Sequence, residues 1–170
     1  MDKTIKLTVD GIELEVNISE EELAKLSKTK ETKKNGYERV GNLQEYFVIA
    51  GIGHTDCVRD SADPYDDACY EVANYYSDRT LAENNARADK LMRQLRRFAA
   101  ENCEEVEWGC NKYHYSLYYD YVECDFGVWY ASSRREFGKI CFDTKENAQK
   151  AIDTFKNELI WYFTEYRDRV

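Results

Sequence analysis

Two histidines, His54 and His114, and six cysteines, Cys57, Cys69, Cys103, Cys110, Cys124 and Cys141, carry the most versatile side-chain chemistry of this chain. His54 and Cys57 form an H-x-x-C pair, with Cys103, Cys110 and His114 downstream. Zinc takes four ligands, arranged as tight local pairs. No C-x-x-C is present, and Cys103 and Cys110 stand too far apart for a knuckle, so no metal is expected. Asp60, Asp63, Asp66 and Asp67 crowd around Pro64, the only proline, without the D-x-D-x-D-G spacing that wraps carboxylates around calcium. Aspartate and proline both favour turns, so residues 54–68 read as a long, exposed acidic loop. Nucleophilic catalysis needs a nucleophile, a base and an orienting group. No G-x-S-x-G or cysteine-protease signature surrounds any Ser or Cys, and Gly51-Ile52-Gly53 lacks the third glycine of a dinucleotide loop. The chain therefore reads as a non-enzyme with no cofactor.

Two sets of residues remain as binding candidates. Lys90, Arg93 and Arg97, spaced i, i+3 and i+7, fall on one side of an expected helix, with Arg96 nearby. Together with tyrosine-rich strands they can neutralise and stack single-stranded nucleic acid or a nucleotide; alternatively they are a solvated face paired with nearby carboxylates. The second set is Tyr65, Tyr118, Tyr121 and Trp129 with Asp63, Asp66 and Asp67, a surface suited to a protein partner, because tyrosine offers a large amphipathic area with few rotors.

The elements that must position these residues are built from unusual material. Leu, Ile, Val and Phe together number 35 of 170 residues, whereas aromatics number 24, fourteen of them tyrosine. So little aliphatic material with a net charge of −9 borders on the composition of disordered chains. The rings reverse that inference, since each buries a large area; the core must be aromatic, with tyrosine hydroxyls paired or led to the surface. The negative charge opposes duplex nucleic acid globally and suits a basic partner. No run approaches the roughly 20 apolar residues of a membrane span, and no secretory leader is read at the start, so free thiols acting mostly as small core residues and a cytoplasmic location are expected.

The expected class is α+β: antiparallel sheets packed by two long helices, preceded by a β-hairpin and short helix. Residues 3–18 alternate around Asp10-Gly11, a strong hairpin signal, and Ser19 would cap a helix beginning with three glutamates. This appendage spans 1–27. The lysine-rich stretch 28–40 reads as a linker, and 41–170 as the aromatic-rich domain. There, Tyr46–Ala50 reads as a strand; Asp78 caps a helix over about 79–101; Tyr113–Tyr119 and Phe126–Tyr130 form a meander with rings on both faces; Phe137–Phe142 would be a third strand; and Thr144 caps the last helix. Tyr76-Ser77-Asp78 leading to Ala82 and Phe142-Asp143-Thr144 leading to Ala148 make a weak repeat, 66 residues apart at the alanines. Each leaves a strand on an aromatic ring, turns through a cap and enters a helix on a small residue.

The pieces Ala73-Asn74-Tyr75-Tyr76, Tyr113–Tyr119, Phe142-Asp143-Thr144-Lys145-Glu146-Asn147-Ala148 and Leu159-Ile160-Trp161-Tyr162-Phe163 resemble a group of accessory proteins from phages and prophages of Gram-positive bacteria, over about residues 41–168. Ala73 departs from the glycine of that pattern. The resemblance implies a phage protein that binds and inhibits a host protein, of the anti-defence, anti-CRISPR-like type, in the host bacterial cytoplasm. It implies no particular site residues. The expected partner is a host protein, a basic nucleic-acid-binding one suiting the acidic chain, with no membrane; a homodimer through the N-terminal hairpin is a further expectation.

Overall fold

The structure, a computed structural model, describes residues 3–9, 12–18, 35–105, 108 and 112–166, with the backbone alone for the first two segments. The chain divides into two compact units, 1–35 and 36–170. In the first, β1 (Lys3–Val9) pairs antiparallel with β2 (Ile12–Ile18), with Val9 opposite Ile12. The expected short helix from Ser19 and most of the lysine-rich stretch lie outside the described residues.

The second unit is two hairpin-to-helix modules. β3 (Glu45–Ile49) and β4 (Thr55–Arg59) form one antiparallel pair; β5 (His114–Asp120) and β6 (Asp125–Ala131) form the other. After the first pair come α1 (Pro64–Glu71) and α2 (Arg79–Asn102); after the second comes α3 (Lys145–Thr164). The fold is thus mixed α+β. Among the described residues no helix is long and apolar enough to cross a membrane.

The repeat has a structural counterpart. Tyr76 exchanges both backbone hydrogen bonds with Phe47, and Phe142 does the same with Tyr115. Each aromatic residue is buried, and each is followed by a cap whose side chain accepts from the N–H three residues on: Asp78 from Leu81, Thr144 from Asn147. Such caps satisfy a helix N–H that has no intrahelical partner. Ala82 and Ala148, both fully buried, then bring the helix against the sheet.

The two modules have separate cores that α2 joins. Its first turn gives Leu81 and Ala82 to a cluster with Tyr76. Farther along, Leu91 and Leu95 pack with Phe142, Ala148, Ala151 and Leu159, covered by Tyr115, Leu117, Phe126 and Val128 from the inner face of β5–β6. Arg87 ties α2 to α3: its guanidinium lies 3.9 Å above the Trp161 ring, and Nε and Nη2 both donate to the Glu158 carboxylate.

Three sequence expectations need correction. Residues 54–68 are not a long loop but hold β4 and the start of α1. Asp63 accepts from the Tyr65 and Asp66 amides while the Asp66 carboxylate accepts from the Asp63 amide, a reciprocal cap built from two aspartates with Pro64 in the first turn. Residues 137–142 are not a strand: Gly138 takes φ 78°, turning the chain at Phe137, and only Phe142 pairs with β5. Of the five described cysteines only Cys69 is buried; Cys57 and Cys124 are exposed, so the thiols do not mainly fill the core.

Candidate functional site

The acidic cluster resolves into a buried scaffold. The Tyr46 and Tyr75 rings stack 3.9 Å apart at 11° in the interior. The Tyr46 hydroxyl donates to Asp66 at 2.7 Å and the Tyr75 hydroxyl to Asp60 at 2.7 Å. Asp66 is only 1% exposed and also accepts from the Ser61 amide; Asp60, 2% exposed, accepts from the Ala62 amide and Arg39 Nε. The tyrosine hydrogen bonds hold both carboxyls below the usual carboxylate range against the opposing effect of burial. Burial and the Asp60 carboxylate push the Tyr75 phenol up to about 12. Asp67 is exposed and pairs with Arg39. Of the three aspartates of the expected contact surface, Asp66 is buried out of reach, whereas Asp63, which caps α1, and Asp67, paired with Arg39, are exposed. Tyr65, 57% exposed, stays on that module.

Tyr118, Tyr121 and Trp129 lie on the other module, in the meander whose sequence places rings on both faces. The structure gives cover at one end of the outer face and exposed rings at the other. Tyr115, Leu117, Phe126 and Val128 pack into the core, and of the positions that alternate with them His114 and Ser116 are buried while Tyr118 and Trp129 are exposed. Tyr118 stands directly opposite Gly127, and its ring lies over the glycine so closely that a Cβ there would fall 2.2 Å from the ring. A strand glycine under an aromatic ring is a recognised pairing. Trp129, 59% exposed, lies at 17° to the Tyr130 ring. Tyr121 caps the far end, donating its hydroxyl to the Phe163 carbonyl at 3.0 Å.

Beside Tyr118 and Trp129 runs a groove of 660 Å³ walled by Ser132, Ser133, Arg134 and Lys139. It adjoins a second hollow, between Arg96, Arg135 and the fully exposed Phe137, across a shared edge of Glu136 and Lys139. Lys139 pairs with Glu136, but Arg96, Arg134 and Arg135 meet no carboxylate among the described residues. The sequence pointed to Arg96 and missed Arg134, Arg135, Phe137 and Lys139, because 137–142 read as a strand and not as a loop that brings these residues to one groove. Gly138, following a polar S-S-R-R-E run, was the available sign of a turn.

The other basic helix residues do not form one stripe with Arg96. Lys90 lines a cleft of 570 Å³ with Arg87, Glu158 and His54. The Arg93 guanidinium abuts Gly53, and Arg97 lies 3.8 Å from Glu101. His54 is paired with Asp56 at 3.0 Å and exposed, while His114 is buried on the other module against Trp108. Among the described residues no three His, Cys, Asp or Glu side chains converge as a metal centre would, and Cys110 lies outside them.

Comparison with family models, with curated proteins and with solved structures finds no match for this chain.

Proposed function

We propose that this chain is a non-enzymatic binding protein that presents the outer face of β5–β6 and the adjoining 132–139 loop to a macromolecule of its host's defence or nucleic-acid-handling machinery, in the manner of an anti-CRISPR-like inhibitor. The observation that carries this reading is the gathering of exposed rings, Tyr118, Trp129 and Phe137, on a module that already has a closed core. Singly exposed apolar residues are ordinary, but rings gathered beside open grooves mark interaction surfaces. The buried carboxylates that acid–base chemistry would use, Asp60 and Asp66, are occupied by donors of their own chain, which favours binding over catalysis.

A site-specific photo-cross-linking series tests the face without knowledge of the partner. With p-benzoylphenylalanine at Trp129, irradiated bacterial cells should give discrete adducts that a cross-linker at Tyr70, exposed on the other module, does not give. Equal adducts from both positions, or none from Trp129, would remove the proposal.

A further inference from the structure

Resting on that reading of the face, we infer that the ligand taken at its 129–139 end is single-stranded nucleic acid. The face and the loop supply two features in one place. The first is a set of open rings. Trp129 and Tyr118 line the wall of one groove, and Phe137 stands fully exposed at the mouth of the next, where burial within the chain gives it no role. A base can stack on any of them, because every base has a π-face. The second feature is unneutralised positive charge. Among the described residues Arg39, Arg79, Arg87, Arg97 and Lys139 pair with a carboxylate. Arg96, Arg134 and Arg135 do not, and what sets them apart from other cations without an ion pair, such as Arg59 and Arg93, is their place beside the exposed rings.

Geometry decides the form of nucleic acid. The rings line grooves rather than a projecting helix or ribbon that could enter a duplex groove. Stacked bases of a duplex do not present their faces, and the surrounding surface of a chain with net charge −9 repels the dense double row of phosphates. A single strand can thread its bases onto Trp129 and Phe137 while its phosphates lie along Arg134, Arg135 and Arg96. An acidic protein segment shares the charge complementarity but has no bases to stack, so the rings distinguish the two. The site differs from a basic helix stripe: of the four helix cations, only Arg96 belongs to it.

The test uses the full chain with a fluorescent oligothymidylate of about 20 nucleotides, a duplex of the same length and polyglutamate, each titrated over a range of salt. The single strand should bind in preference to both others and quench Trp129 fluorescence. Its log affinity should fall with log salt at a slope of about −2, which is about 0.7 for each of three cations. Phe137→Ala should weaken binding by roughly 10-fold, within the range for loss of one base stack. Replacing Arg134 and Arg135 together by Glu should weaken it at least as much and reduce the salt slope by about 1.4. All three side chains are exposed, and circular dichroism of each variant confirms folding independently. Binding of polyglutamate or duplex as tight as that of the single strand would overturn the inference, as would no single-strand binding at low salt or binding indifferent to these variants. If the oligonucleotide fails while the Trp129 cross-linker still captures a discrete protein, the inference falls and the proposed binding face stands; if both fail, both fall.

Discussion

Ala73 shows how a single residue can sit at odds with an otherwise well-made local structure. Its φ is 56°, the left-handed region that costs an L-residue with a Cβ roughly 1–2 kcal/mol. The helix before it ends in a Schellman arrangement: the Ala73 amide donates to the Tyr70 carbonyl and the Asn74 amide to the Cys69 carbonyl. The turn then delivers the Asn74 side chain to Ile49, where the carboxamide oxygen accepts from the Ile49 amide at 2.8 Å and the carboxamide nitrogen donates to its carbonyl at 3.1 Å. Asn74 thus continues the edge of β3 before Tyr76 pairs with Phe47. Glycine, with no Cβ, fits the turn better. Ala73→Gly should therefore raise stability by about 0.5–1 kcal/mol, the left-handed strain relieved less the extra freedom glycine brings to the unfolded chain. Urea unfolding reads this as a higher midpoint at unchanged slope. A lower midpoint would mean that the strain is absent.

At the scale of elements, Gly127 and Tyr118 form one unit of the β5–β6 hairpin. The Gly127 backbone does not need a left-handed conformation; it needs the absence of a Cβ beneath the ring. Tyr118 is 44% exposed, so a methyl group at 127 would swing the ring into solvent rather than disrupt the core. Gly127→Ala should change stability by less than about 1 kcal/mol, as alanine regains backbone entropy, yet weaken single-strand binding several-fold by moving Tyr118 off the sheet. A large loss of stability would show that the ring is anchored more firmly than its exposure indicates.

The elements also show what could be read beforehand. Asp78 and Thr144 were legible as caps because capping is a local exchange between a side chain and an N–H three residues on. The alternation over 3–18 was legible for the same reason. α1 and β4 were not, because their inward positions do not look apolar. The helix buries Asp66 and Cys69, and the strand offers Val58 among polar neighbours. An aspartate satisfied by a tyrosine hydroxyl can occupy a core position, but that pairing spans Tyr46 to Asp66 and no local pattern records it. The candidate site suffered in the same way: Trp129 and Tyr118 could be named from strand alternation, whereas their association with Arg134 and Arg135 depends on where the 132–139 loop returns.

For the molecule as a whole, the buried carboxylates set the response to acid. Asp60 and Asp66 have folded pKa values below the ordinary one, by the tyrosine hydrogen bonds first and against the cost of burial. Asp143 is held at about 2: burial opposes ionisation, but the Glu104 amide and the Asn147 side chain outweigh it. A group with a depressed folded pKa confers stability that is present above its unfolded value, about 3.9 for aspartate, and is lost as pH falls through the folded value. Self-repulsion from the net charge runs the other way at neutral pH and eases towards the isoelectric point of about 4.9. Stability should therefore rise slightly from pH 7 to about pH 5 and then fall steeply towards pH 2. Asp66→Asn should flatten the acid limb of that curve in urea midpoints taken across pH. An acid limb as steep in the variant as in the parent would place the responsible carboxylates elsewhere.

The paired bridges between each buried aromatic and its hairpin have a consequence for how the chain comes together in time. Phe47 meets Tyr76 across 29 residues and Tyr115 meets Phe142 across 27, so each module closes a short loop of its own. Loop-closure entropy grows with length, and folding is fast where contacts are local. During synthesis, the first strand pair, its tyrosine stack and the start of α2 can form before β5 leaves the ribosome, since domains fold from the N-terminus as they emerge. Leu91 and Leu95 must then wait, exposed on α2, for a second module to cover them. Nascent chains that stop between the modules would carry this uncovered apolar stripe, and it is there that a chaperone would find its handhold.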